Sequence, residues 1–327
     1  MTLCGIGVFA LLVYSIGFQE IYEGIVRFGV AGFAVILTIY FFRICARAYA
    51  WKLSVHEPYS LRMRDTVPGV VIGEAMSSTL PLGIIISGTS KAVAVRKKIP
   101  LVAGLSSVAT ENLFYSLITG IHLILGAFVM LRVSAVDEGV VWTLNAMIVT
   151  LLILIFLGIL MVIRQWHMAS ELCEIVYRRG YLKKILENGR LHVRLFENLI
   201  YGFYRQHPGR FIPICLLEGV YHALGVTEVF YILSRLNNDN ASLLTAFLLE
   251  SVSRLVTIVF KAIPFNIGVD EAGAQYVGNA VALAAGVGVT LAIIRKGRIL
   301  FWTAAGWALI AKRGLSFKDL SQRNAEE

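Results

Sequence analysis

The sequence predicts an all-α polytopic integral membrane protein, with about seven transmembrane helices and two re-entrant helical hairpins in an inverted repeat. Three observations predict it. Hydrophobic residues make up 57% of the 327 positions and charged residues only 16%, with a mean hydropathy of +0.73. A soluble domain has about 45–50% and about 25%. Several apolar runs reach the roughly 20 residues that cross a bilayer. Two runs are broken by Gly and Pro, the mark of non-helical backbone held at membrane depth. A soluble globular domain is excluded. The formal charge of +9 sits in loops between apolar runs, which the positive-inside rule accounts for without nucleic acid.

Along the single membrane domain, 1–327, the apolar runs fall at 3–18, 28–50, 66–90, 100–131, 140–163, 211–234, 241–264, 272–292 and 299–311. Run 3–18 lacks a basic leader and a cleavage site, so a membrane helix is expected there rather than a signal peptide. Basic clusters at 43–64, 91–98 and 164–210 orient the chain with those segments cytoplasmic. The stretches near Glu20–Glu23, Asp137–Glu138 and Asn237–Asn240 are then external. Run 66–90 has basic flanks on both sides, and it holds two Pro and four Gly. A hairpin entering from the cytoplasm satisfies both facts. Run 241–270, with Glu250, Arg254, Pro264 and Gly268, reads as its mirror from the outside. In the rival topology 241–263 crosses fully and places Arg295, Lys296 and Arg298 outside. Segment 164–210 alternates apolar and basic residues at helical spacing, as one or two amphipathic helices on the inner leaflet would.

Four carboxylates lie in or beside apolar runs: Glu74, Glu111, Glu250 and Glu271. An ionised side chain at bilayer depth costs at least about 2.5–3.5 kcal/mol, so these residues call for partners or a polar cavity. Glu74, Ser77, Ser78 and Pro81 share one helix face and offer an acceptor and hydroxyls to a head group; helix packing explains the small residues equally well. Glu111 needs a cation such as Lys91 or Arg254 to remain charged. Glu250 and Arg254 stand one turn apart, as an ion pair does, and Lys261 follows on the same face. Glu271 opens a helix after Pro264 and Gly268 and suits a cap. Glu218 and His222 form a further pair at this spacing, read first as a structural hydrogen bond and second as a proton relay. The four cysteines, Cys4, Cys45, Cys173 and Cys215, form no metal or disulfide pattern. No nucleotide-binding or hydrolase motif is present, so neither cofactor, metal nor catalysis is expected.

The chain resembles the flippase-like membrane-domain family, which includes the transmembrane region of lysylphosphatidylglycerol synthase, an archaeal dolichol-pathway protein and hopanoid-linked members. Arg47 and Trp51 in RAYAW, SSTLPLG at 77–83 followed by Lys91, Glu111, ESVSRL at 250–255 and PFNIGVDEAG with Pro264 and Glu271 carry the resemblance. Asn266–Ile267–Gly268 replaces the usual double glycine, and Ile84–Ile85–Ile86 follows the first-half motif where further Gly or acidic residues are common. The resemblance implies movement of a polar-headed lipid, of the anionic phospholipid or isoprenoid kind, between leaflets of the cell inner membrane. By match it places Glu74, Lys91, Glu111, Glu250, Arg254 and Glu271 along the path, and Ser77, Ser78 and Pro81 on the face of Glu74 and Pro264 at the second break complete the expected path. Arg43, Arg47, Lys97 and Lys98 would collect the head group from the cytoplasmic side. With no aminoacyl-transferase domain after residue 327, a lipid-synthesising half is not expected. The partners expected are membrane lipids, a lipid-modifying enzyme and a second copy of the chain. Two other functions fit the composition: a proton-coupled carrier of a small solute, and a non-catalytic membrane partner of a lipid-modifying enzyme.

Overall fold

The computed structural model describes residues 14, 18–80, 83–133, 137–179, 183–236, 241–260, 263–284 and 286–313. The expected membrane helix at 3–18 therefore lies almost wholly outside the described residues. Among them the chain is helical and contains no strand. The helices are α1 (Phe18–Leu53), α2 (Met63–Thr79), α3 (Gly83–Ala94), α4 (Leu101–Val133), α5 (Glu138–Arg164), α6 (Met168–Arg178), α7 (Lys183–Gln206), α8 (Phe211–Arg235), α9 (Leu243–Val259), α10 (Val269–Ala280) and α11 (Val287–Lys312). The chain is a helical integral membrane protein. Among the described residues four helices, α1, α4, α5 and α8, are long and apolar enough to span a bilayer by length and composition.

Two short helix pairs punctuate the long ones. The first joins α2, of 17 residues, to α3, of 12, through Leu80 and the two positions after it. The second joins α9, also of 17 residues, to α10, also of 12, through an irregular stretch with a 3-10 turn at Pro264–Asn266. Each pair packs along itself, and the turn at Pro264–Asn266 touches α2. The backbone breaks where the sequence allows it. Gly268 has φ +85°, and its amide donates to Glu271 Oε2 at 2.9 Å, so the acidic first turn of α10 caps its own helix. Ser242 caps α9 by accepting from the Thr245 amide at 3.0 Å. The Arg62 amide donates to Asp65 at 3.1 Å at the start of α2. The first pair thus extends beyond 66–90 at both ends, and the second limb of the other pair runs ten residues past 270.

One expectation is corrected at the C-terminal end. Runs 272–292 and 299–311 were separated by the charges at 295–298, but α11 passes through these charges unbroken. Arg295 and Arg298 are buried within the bundle, so the charges end no helix. Carboxylates on neighbouring helices neutralise them, which makes a charged helix interior tolerable at this depth. Arg43 and Arg47, inside run 28–50, both lie in α1.

The helices α1, α2, α4, α8, α9 and α11 form the interior, with α1 and α8 packed along each other. An apolar cluster built on Ile36, Val229, Ile232, Leu248 and Leu291 joins α1, α8, α9 and α11. Helix α5 stands apart. It packs chiefly against α4, and none of its residues is buried. In segment 164–210 the amphipathic helices form as the spacing predicts. On α6 the apolar residues Leu172 and Ile175 remain exposed, whereas Phe203 at the end of α7 is buried in an aromatic cluster with Phe114, Tyr204 and Phe211.

Candidate functional site

The buried charges assemble into three groups around one cavity. In the largest, Glu250 on α9 and Glu228 on α8 have no exposed surface. Glu250 accepts from Arg43 Nη2 at 3.1 Å, Arg254 Nε at 2.8 Å and Arg295 Nη2 at 2.6 Å. Glu228 accepts from Arg43 Nη1 at 3.2 Å and from Arg298, while Arg295 Nε lies 3.8 Å away. Two carboxylates from adjacent helices thus hold four guanidiniums from α1, α9 and α11. Aromatic faces carry part of the surplus charge. The Tyr221 ring lies 4.4 Å from the Arg43 guanidinium and 5.2 Å from that of Arg254, and Arg298 sits 4.0 Å over Tyr40. The Tyr221 hydroxyl accepts from Arg254 Nη1 at 3.2 Å. Gly225 on α8 makes the contact possible: a Cβ there would collide with Glu250 Oε1 and come within 2.9 Å of Arg43 Nη2.

The second group centres on Glu111 of α4, also fully buried. It accepts from Arg47 Nε at 2.8 Å and from Lys91 Nζ at 3.2 Å. Arg47 also donates to Asn112 Oδ1 at 3.1 Å and stacks 4.2 Å from Tyr115. Behind it, Trp51 donates to Ser107 at 3.0 Å. In the third group, Lys296 of α11 lies 2.7 Å from Glu271 of α10 and donates to the Asn266 carbonyl at 3.4 Å. Ser253 donates to Asp270 at 2.7 Å. Glu271 therefore caps α10 and holds a cation as well.

A cavity of about 870 Å³ lies among these groups. Part of the lining is polar: Arg47, Arg254, Arg295 and Arg298, the hydroxyls of Tyr40, Ser77, Ser78 and Thr257, and the carboxylates Glu74 and Asp270. The lining contributed by α5 is apolar: Leu151, Leu154, Ile155, Ile159, Val162 and Ile163. In the first two groups six cations face three carboxylates, and Glu74 and Asp270 of the lining offset two of the three surplus charges, so with these carboxylates ionised one positive charge remains over. Such a wall attracts anions, and its low-dielectric setting strengthens the effect. Among the described residues no cluster of His, Cys, Asp or Glu is placed to hold a metal ion. Among the described residues Cys45, Cys173 and Cys215 are free thiols.

The residues singled out in the sequence fall in different places. Glu74, Ser77, Ser78 and Arg254 line the cavity, and Glu74 accepts from the Tyr40 hydroxyl at 2.9 Å. Lys91, Glu111, Glu250 and Glu271 are absent from the lining; Glu111 anchors Arg47 and Glu250 anchors Arg254 and Arg295, which do line it, while Lys91 and Lys296 pair with Glu111 and Glu271 behind it. Glu111 takes Lys91 and Arg47, and Arg254 goes to Glu250 as its spacing predicts. Pro264 opens the turn whose next two residues, Phe265 and Asn266, reach the cavity. Pro81 and Lys261 lie outside the described residues. The four cations expected to gather head groups divide: Lys97 and Lys98 are exposed between α3 and α4, Arg47 opens on the cavity, and Arg43 has no exposed surface at all. Held between Glu228 and Glu250, Arg43 cannot reach a membrane surface. Glu218 and His222 make no hydrogen bond to each other; His222 Nε2 instead meets Thr119 at 3.0 Å, and its ring stacks on His122 at 4.7 Å.

Sequence reading missed Glu228, Arg295, Arg298, Tyr40 and Tyr221. A signal existed for three of them. Glu228 is a carboxylate inside run 211–234, as anomalous as the four that were noted. Arg295 and Arg298 are one turn apart between apolar residues, and treating them as loop charges hid that spacing.

These features match a known family along almost the whole chain: the model described as lysylphosphatidylglycerol synthase TM region covers residues 2–306. The chain belongs to this family. Membership ties this lysylphosphatidylglycerol synthase TM-region protein to membrane lipid metabolism or transport, in keeping with its apolar helices. No curated protein and no solved structure matches it.

Proposed function

We propose that the protein carries a lipid with an anionic polar head between leaflets of the cell inner membrane, crossing that membrane several times and performing no chemistry on its cargo. The observation that supports this reading most is the mixed lining of the cavity. Its polar wall suits a phosphate, and its α5 wall suits acyl chains. Arg254 and Arg47 expose only 12% and 13% of their side chains, with one nitrogen of each pinned by a buried carboxylate. Their remaining donors are therefore presented at low entropic cost to an incoming oxyanion. In this reading the two short helix pairs are re-entrant. At 1.5 Å per residue, a 17-residue limb spans about 25 Å and a 12-residue limb about 18 Å, short of a hydrocarbon core of roughly 30 Å. The basic segments 96–98 and 164–210 would face the cytoplasm, where a lipid-modifying enzyme would supply or receive the cargo.

Translocation of fluorescent phosphatidylglycerol in vesicles containing the purified protein tests the proposal. Arg254→Ala leaves Glu250 with Arg43 and Arg295, so the protein remains folded while one charge-assisted contact to the phosphate is lost. A contact of this type is worth about 1.5–3 kcal/mol, so the rate should fall roughly tenfold or more. Unchanged rates in both Arg254→Ala and Glu111→Gln would overturn the reading.

A further inference from the structure

Glu218 differs from the other buried carboxylates of the bundle. Glu111, Glu228, Glu250 and Glu271 each hold a cation. Glu218 has no exposed surface, and neither of its oxygens has a hydrogen-bond partner among the described residues. A buried carboxylate left without donors is costly while it is ionised. The charges acting on it come from three other helices: Glu111 on α4, Arg47 on α1 and Lys91 on α3. Tyr115 of α4 and Cys215 of its own helix also lie within its field.

The charge count around it has a direct consequence. Arg47 and Lys91 share the single carboxylate of Glu111. With Glu218 ionised, two cations meet two anions and the cluster is neutral. With Glu218 protonated, one positive charge is uncompensated, and Arg47 presents it to the cavity. One proton thus decides whether this end of the cavity attracts an anion.

We propose that Glu218 is a proton-binding site whose occupancy controls anion binding at Arg47, so that a proton and an anionic head group are taken up together. The proposal rests on the lipid-carrying reading above and adds an energy source to it. The proton binds a carboxylate oxygen of Glu218 and returns to the cavity when the head group leaves. A route is built beside it. Thr119 lines the cavity and hydrogen-bonds His222, which stands one turn from Glu218 and has an unpartnered Nδ1. His222 faces His122 and Tyr115 of α4, whose rings stack on it, and it feels Arg254 and Glu250 of α9 and Arg43 of α1. His122 in turn meets Ser251 at 3.2 Å, so the polar track ends beside Glu250. Coupling of this kind is reciprocal: whatever factor protonation adds to anion affinity, anion binding adds to proton affinity.

The test uses the purified full chain with dihexanoyl-phosphatidylglycerol as probe, titrated calorimetrically in two buffers of different ionisation enthalpy. The wild type should take up as much as about one proton per probe bound, with affinity falling as pH rises by at most about tenfold per pH unit. Glu218→Gln mimics the protonated form. It should bind the probe at the acid-side affinity of the wild type, independently of pH and without proton uptake. Unchanged proton uptake in Glu218→Gln overturns the proposal. A second measurement needs no lipid: infrared difference spectra between acid and alkaline pH should show a carboxylic-acid C=O band that Glu218→Gln loses and Glu218→Asp retains at a shifted frequency. Persistence of the band in Glu218→Gln also overturns the proton site. If the probe binds neither protein, the anionic-lipid reading and the coupling fall together, and the infrared band alone decides the proton site.

Discussion

The helices α1–α4 and α8–α11 follow the same order: a long helix, a limb of 17 residues, a limb of 12, and another long helix. Their charges are reversed. In the first half cations on α1 and α3, Arg47 and Lys91, converge on a carboxylate of α4. In the second half carboxylates on α8 and α10, Glu228 and Glu271, meet cations of α11. The two buried groups differ too. Around Glu228 and Glu250, Arg43, Arg295 and Arg298 are at most 5% exposed and Arg254 is 12% exposed. Around Glu111, Arg47 is 13% exposed and lines the cavity, and Glu218 of α8, without a hydrogen-bond partner among the described residues, lies within the field of this group. One scaffold therefore holds two kinds of ionic group: one in which two carboxylates bind four guanidiniums, and one beside which a carboxylate is left without a partner.

The largest expected effect breaks that contrast directly. Glu250→Gln leaves Arg43, Arg254 and Arg295 around a neutral amide. Uncompensated buried charge costs about 3–5 kcal/mol, so the thermal midpoint in detergent should drop sharply. Glu111→Gln, whose partner Arg47 reaches the cavity, should cost less, about 1–3 kcal/mol. Equal losses would show that the two groups do not differ in this way. Next in size is Gly225→Ala. The added methyl pushes Glu250 away from Arg43, with an overpacking cost of about 1–3 kcal/mol. A matching change at Gly219, which has open space around it, should leave the midpoint within about 0.5 kcal/mol equivalent.

The smallest effect concerns the loop that follows α1. Burial, followed by the nearby His207 and Arg210, pushes the His56 imidazole down to about 4. The folded state then binds fewer protons than the unfolded chain between about pH 4 and about pH 6.5. Its contribution to stability is complete above that window and is lost as pH falls through it. In His56→Gln the midpoint should fall less between about pH 7 and about pH 5 than in the wild type. An identical fall would assign the acid sensitivity to other groups.

Much of the fold was legible in the sequence because apolar runs and Gly/Pro breaks are local signals. The break near Pro81 and the one between Phe260 and Gly268 both fall where the sequence is interrupted. The Glu250–Arg254 pair was legible for the same reason, since both residues lie on one helix face. What failed was non-local. Arg295 and Arg298 read as loop charges because their partners, Glu228 and Glu250, are 70 and 45 residues away. Arg43 failed in the same way, since its two carboxylates lie on helices that only tertiary packing brings to α1. A charge in an apolar run shows that a partner exists; its identity depends on which helices pack together.

Helix α5 supplies the apolar wall of the cavity and yet buries none of its residues. Few side chains there fit a specific socket, so exchanging one aliphatic residue for another disturbs little packing. Leu151, Leu154 or Ile159 can drift among Leu, Ile, Val and Phe at small cost to folding, provided hydropathy is preserved. The cation and carboxylate positions have no such latitude. Random mutagenesis of the gene should therefore accumulate tolerated substitutions along α5 faster than anywhere in α1, α8 or α11.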